Sequence, residues 1–96
     1  MDIEDIQRRA NDVCQKYGVK TLYVFGSIVR GDDHEDSDID CLVEFQDQTG
    51  LFDKYMDLKT ELSHRLGRSI DLVTTNSIRN PIFRKVVERE RILVYG

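Results

Sequence analysis

The chain has 96 residues, enough to enclose one hydrophobic core but not two. With 40% hydrophobic and 33% charged residues it has the balance of a soluble globular protein, which excludes the disordered and membrane-embedded classes. Its 14 basic and 18 acidic residues leave a formal charge of −4, which argues against strong non-specific binding to nucleic acid. A single domain over residues 1–96 is expected. No apolar run approaches the roughly 20 residues that span a bilayer, and Met1-Asp2-Ile3-Glu4-Asp5 lacks the basic, apolar start of a secretory signal, so a cytoplasmic location is expected. Cys14 and Cys41 have no Cys or His at ligand spacing and read as reduced core residues.

The first predicted element is an amphipathic helix: Ile3, Ile6, Ala10, Val13, Cys14 and Tyr17 recur at three- and four-residue steps, and Gly18 ends the stripe. Thr21–Phe25 is short, β-branched and aromatic, and reads as a buried strand running into a tight turn at Gly26-Ser27. Residues 31–37 hold nothing apolar to bury and form a polar loop. Then Ile39, Cys41, Val43 and Phe45 alternate with Asp38, Asp40, Leu42 and Glu44, the period of a strand with its first set inward. Leu51, Tyr55, Leu58, Leu62 and Leu66 mark a second helix that Gly67 closes. In residues 69–75, Ile70 and Leu72 share one face of a strand and Asp71 and Val73 the other. Asn80-Pro81 starts a third helix whose apolar face is Ile82, Phe83, Val86 and Val87, and residues 92–95 close the chain. The alternation predicts an α/β (α+β) fold, a small mixed sheet of three or four strands with helices packed on it.

Chemistry concentrates in the aspartates. Asp38 and Asp40 lie two apart on one strand, so their Cα atoms are about 6.5–7 Å apart and both carboxylates leave the same face. At about 4 Å two like charges repel by roughly 4 kcal/mol at an effective dielectric near 20, so such a pair needs water or a cation, and magnesium prefers carboxylate oxygens. Asp71, on the non-core face of another strand, is a third carboxylate able to complete the site, although an edge-strand charge that discourages aggregation has the same appearance. Gly26 lets the backbone approach a ligand, and exposed amides with the Ser27 hydroxyl can hold phosphate oxygens. Arg30 is placed either to approach phosphates or to pair with the acidic loop of residues 32–36, and His34 reads as an exposed loop residue. Arg79, Arg84, Lys85, Arg89 and Arg91 cluster near the C-terminus, but Glu88 and Glu90 interrupt them, as on a solvated helix face.

Gly26-Ser27, ten residues, then Asp38-Ile39-Asp40 resembles a minimal nucleotidyltransferase of the DNA polymerase beta superfamily. The resemblance extends through Phe25, Arg30-Gly31, Ser37 and Ile70-Asp71-Leu72-Val73. It implies that Gly26 and Ser27 bind a triphosphate, with Arg30 and Ser37 alongside, and that Asp38 and Asp40 hold Mg2+, two ions in all. Asp71 joins them as a ligand and helps activate the acceptor hydroxyl. Many members of that family carry Arg directly after the Gly-Ser, where this chain has Ile28, a departure at one polar contact that the resemblance implies for the nucleotide site.

Members of this size resemble the antitoxin half of a toxin–antitoxin pair whose toxin is a HEPN-domain ribonuclease. That resemblance implies transfer of AMP from ATP to a toxin tyrosine, in a homo- or hetero-oligomer. Two other functions compete: a binding module that neutralises its partner by covering it, and transfer to a small hydroxylated molecule. The intact set of three carboxylates and the Gly-Ser favours an enzyme over the first. The second needs a further subunit or domain around the acceptor.

Overall fold

Helix α1, Ile3–Lys16, begins where the Asp2 carboxylate accepts a hydrogen bond from the Asp5 amide at 2.8 Å, satisfying one of the free donors of a helix start. Its stripe is the predicted one, with Ile6, Ala10, Val13 and Cys14 buried. Both cysteines are free and buried, and burial pushes the Cys14 thiol up to about 12, so they behave as core atoms. The computed structural model describes every residue, Met1–Gly96, and no helix in it is long and apolar enough to cross a membrane.

Strand β1, Val19–Phe25, starts two residues earlier than periodicity suggests, and the turn expected after it is a single helical turn, α2, Ser27–Arg30. Four residues hold too little pattern to be told from a turn. The remaining elements are β2, Ile39–Phe45, α3, Leu51–Leu66, β3, Ile70–Thr74, a 3-10 turn at Thr75–Ser77, α4, Pro81–Glu90, and β4, Ile92–Tyr95. The left-handed Gly67 (φ +65°) stops α3, and the Asn80 side chain caps α4 by accepting from the Ile82 and Phe83 amides.

The sheet order is β3-β2-β1-β4, with β2 parallel to β3 and both other pairings antiparallel. A parallel pair needs a long crossover, and α3 supplies it. The two faces differ in kind. One carries Ile39, Cys41, Val43, Ile70 and Leu72 and packs on α1 and α3 through Leu58, Leu62 and Leu66. Tyr17 and Lys16 bond the Glu61 carboxylate at 2.6 and 2.9 Å and so tie the two helices together. The other face has a small cluster of Phe25, Leu42, Ile78 and Val87 under α4, and beside it lie the aspartates. The apolar face read for α4 is therefore buried only at Val87, with Ile82 74% and Phe83 42% exposed. A helix resting on the edge of a small cluster cannot bury a full stripe.

Leu62 is fully buried between α1 and the sheet. Leu62→Ala is expected to lower the unfolding free energy by about 2–5 kcal/mol, read from urea midpoints at constant slope. A loss under about 1 kcal/mol would mean this face is not the stabilising core.

Candidate active site

Strand register assembles the site. Asp40 lies opposite Phe25 on β1 and beside Asp71 on the parallel neighbour β3. Adjacent strands are about 4.8 Å apart, so the two carboxylates stand side by side on the face away from α1 and α3. Asp40 is half-buried and Asp71 exposed. Asp38 is one residue ahead of β2, exposed, next to Ser69 and α3, and near enough for its charge to act on Asp40.

Gly26 is required twice over. Its φ of +76° with ψ −145° is a backbone region open essentially to glycine alone. A Cβ here would also overlap Oδ2 of Asp40 and stand 3.2 Å from its Cγ. The missing side chain is what lets the carboxylate sit against the end of β1. Gly26 then starts α2, its carbonyl accepting from the Val29 and Arg30 amides at 3.0 and 3.1 Å, and Ser27 opens the helix. Ile28, directly after Gly26-Ser27, is buried in the main core.

Arg30 reaches the same cleft, but its partner is not chiefly the acidic loop. Nη1 donates to both carboxylate oxygens of Glu90 at 3.1 and 3.2 Å, while Asp32 stands 3.6 Å away. Ser37 shapes the loop before Asp38: its hydroxyl accepts from the His34 amide at 3.1 Å and its carbonyl receives Arg68. The Arg68 guanidinium bonds the Ser37 carbonyl, the His34 carbonyl and the Asp33 carboxylate, the last at 2.9 Å, and so fixes the loop that delivers Asp38. Sequence reading missed Arg68 and Glu90, because neither stands near the motif in the chain. Glu90 comes to Gly26 at the end of α4, two residues before Ile92 pairs with Val24.

The cleft has a volume of about 260 Å3 and is lined by Gly26, Arg30, Asp40, Asp71, Phe83 and Glu90 among others. A larger open groove of about 800 Å3 lies between α1 and β4, but no group of carboxylates converges there. Asp40 is pushed up to about 6, first by burial, then by the charge of Asp71, its hydrogen bond with Asp71, and the charge of Asp38; Arg30 acts the other way. This negative cluster lacks a cation of matching charge, and its donors are carboxylate oxygens, the set a hard divalent ion prefers. The residues therefore fit a magnesium-type ion. No three side chains already converge to ligand distance, so a shared ion requires Asp38 to turn towards Asp40, which its exposure allows.

Gly26→Ala is expected to destabilise the protein by about 1–3 kcal/mol through strained backbone alone and to push Asp40 from its place. Wild-type thermal unfolding matched by the variant would contradict that. The electrostatics of Asp40 make stability depend on pH: its folded-state pKa, about 6, lies above the ordinary aspartate value of about 3.9, so the native state holds the extra proton between them. Stability is expected to fall as pH rises from about 4 to about 6 and to stay lowered above that range. Urea unfolding in chelator should show Asp40→Asn gaining stability on wild type at neutral pH and not near pH 4. A difference independent of pH would contradict the assignment.

Comparison with known proteins bears on this geometry directly. Residues 8–96 match the polymerase beta nucleotidyltransferase family. The chain is 41% identical over 80 residues to the protein adenylyltransferase MntA of Thermococcus cleftensis, covering 83% of this chain and 79% of the relative. It superposes on a solved minimal nucleotidyltransferase at 37% identity and TM-score 0.76, covering 96% and 95% of the two chains. It shares a fold, at 19% identity and TM-score 0.67, with a chain of the complex of tri-AMPylated Shewanella oneidensis HEPN toxin and MNT antitoxin, over 95% of this chain and 70% of that one. With Gly26 set against Asp40, and Asp40 beside Asp71, the chain belongs to the polymerase beta nucleotidyltransferase family and is a nucleotidyltransferase.

Proposed function

We propose that the protein transfers AMP from ATP to a hydroxyl, a tyrosine side chain, of a HEPN-domain toxin, and so acts as the antitoxin of that pair. The observation that carries the reading is the packing of Asp40 between the bare Gly26 and Asp71. That contact supports reading the turn at Gly26-Ser27 as a phosphate cradle beside the carboxylates. The kinship with MntA supports a protein as acceptor, and the shared fold with a HEPN–MNT complex chain supports a toxin as that protein.

In this reading Gly26 and Ser27 hold the triphosphate so that the α-phosphorus faces Asp40 and Asp71. The acceptor oxygen attacks phosphorus, the bond to the β-phosphate oxygen breaks, and pyrophosphate leaves with the electron pair. Asp71, the exposed member of the pair, takes the hydroxyl proton. A divalent ion bound by Asp38 and Asp40, with Asp71, would supply charge neutralisation at the phosphates and a more acidic hydroxyl. Arg68 keeps Asp38 in reach by fixing the loop before it.

The test is transfer from α-labelled ATP with magnesium, using protein purified from its own cell with whatever copurifies, beside the Asp38→Asn, Asp40→Asn double variant. Label on the copurifying protein, absent from the variant and absent with γ-labelled ATP, is the expected result. A stable complex that takes no label, and that the variant still forms, would replace the enzyme reading with a binding module.

A further inference from the structure

Glu90 lies where the triphosphate reading needs an anion. Its Oε2 accepts the Gly26 amide at 3.3 Å, and its two oxygens share Nη1 of Arg30 at 3.1 and 3.2 Å. The Glu90 side chain is 20% exposed, against 50% for Arg30, so the carboxylate is the sheltered partner. The placement follows from the end of α4: the helix stops at Glu90, two residues before Ile92 pairs with Val24, which brings Glu90 close to Gly26. Arg91, stacked 4.4 Å from the Tyr23 ring centroid, anchors the junction on its far side.

An amide and a guanidinium thus converge on one pair of carboxylate oxygens, which is how the same donors would receive phosphate oxygens. The cleft that holds them, about 260 Å3 with Glu90 in place, lies below the range of roughly 300–1,000 Å3 usual for ligand sites. Glu90 also adds a further negative group to a cleft that contains Asp40 and Asp71.

We propose that Glu90 is an internal competitor for the nucleotide: its carboxylate occupies the anion position formed by the Gly26 amide and Arg30, and the triphosphate binds by displacing it. Glu90 thereby sets nucleotide affinity. Displacement frees Arg30 to meet a phosphate, which reconciles the Arg30–Glu90 pair with a phosphate role for that arginine. The inference rests on the triphosphate reading of Gly26 and names what regulates that site.

Calorimetric titration of ATP with magnesium into wild type, Glu90→Gln, Arg30→Gln and the double variant tests it. Glu90→Gln is expected to bind ATP about five- to tenfold more tightly, the scale of a half-exposed charge-assisted pair that no longer has to break. That gain should shrink when Arg30 is also replaced. Equal or weaker binding by Glu90→Gln would overturn the proposal while leaving the nucleotide site standing. ATP binding by neither wild type nor Glu90→Gln would overturn both.

Hydrogen exchange on the wild-type protein guards against a folding defect in the variant. Amides of residues 87–91 should exchange faster when inorganic tripolyphosphate with magnesium is added. Unchanged or slower exchange at saturating tripolyphosphate would contradict displacement.

Discussion

The close approach of the Asp40 carboxylate to the bare Cα of Gly26 is the constraint on which the rest of the site depends. It requires a residue without Cβ in a backbone conformation that only glycine adopts easily, at the point where β1 becomes α2. Once that contact is made, the Phe25–Asp40 pairing fixes β2 against β1, and the Asp40–Asp71 pairing fixes β3 against β2. The same turn aims the Gly26 amide into the cleft and sends Arg30 across it. A methyl group at this one position would disturb the strand end, the carboxylate pair and the hydrogen bond from the Gly26 amide to Glu90 together.

The sheet divides its labour by face. Period-two alternation puts Ile39, Cys41 and Val43 into a dry layer with α1 and α3, and leaves Asp40 and Leu42 on the side of α4. Burial and like charge near Asp40 work against folding at neutral pH, as the upward shift of its pKa records. The main core offsets that cost because it is structurally separate from the site. The helix over the active face is held more lightly, through Val87, the edge-on contact of Phe83 with Phe25, and Glu90. Lighter packing there leaves this face the less stable of the two.

Elements with a strong local period are legible in the amino-acid sequence itself. The stripes of α1 and α3, the alternation of β2 and β3, and the Asn80-Pro81 helix start all match their spacing, since burial on one face writes itself into periodicity. Asp38, Asp40, Asp71, Gly26 and Ser27 stand out because a short motif and one strand face carry them. The fold brings Gly26, Asp40 and Asp71 together and leaves Asp38 outside that cleft, beside Ser69 and α3. What stays hidden depends on distance along the chain. Glu90 meets Gly26 across 64 residues and Arg68 meets Ser37 across 31, and no local pattern encodes such contacts. Arg30 does reach the cleft, but its partner lies 60 residues further along the chain and only the tertiary fold identifies it. Ile82 and Phe83 look like core in the sequence because periodicity reports a face and not whether anything covers it.

In the proposed function, Gly26 and the aspartates form one nucleotide and metal site. The most direct test is a crystal structure grown with manganese and a non-hydrolysable ATP analogue, with the ion located by its anomalous signal. Manganese is expected within carboxylate-bonding distance of Asp38 and Asp40, and phosphate oxygens on the amides of Gly26 and Ser27. Manganese away from both aspartates, or a triphosphate bound elsewhere on the protein, would contradict it.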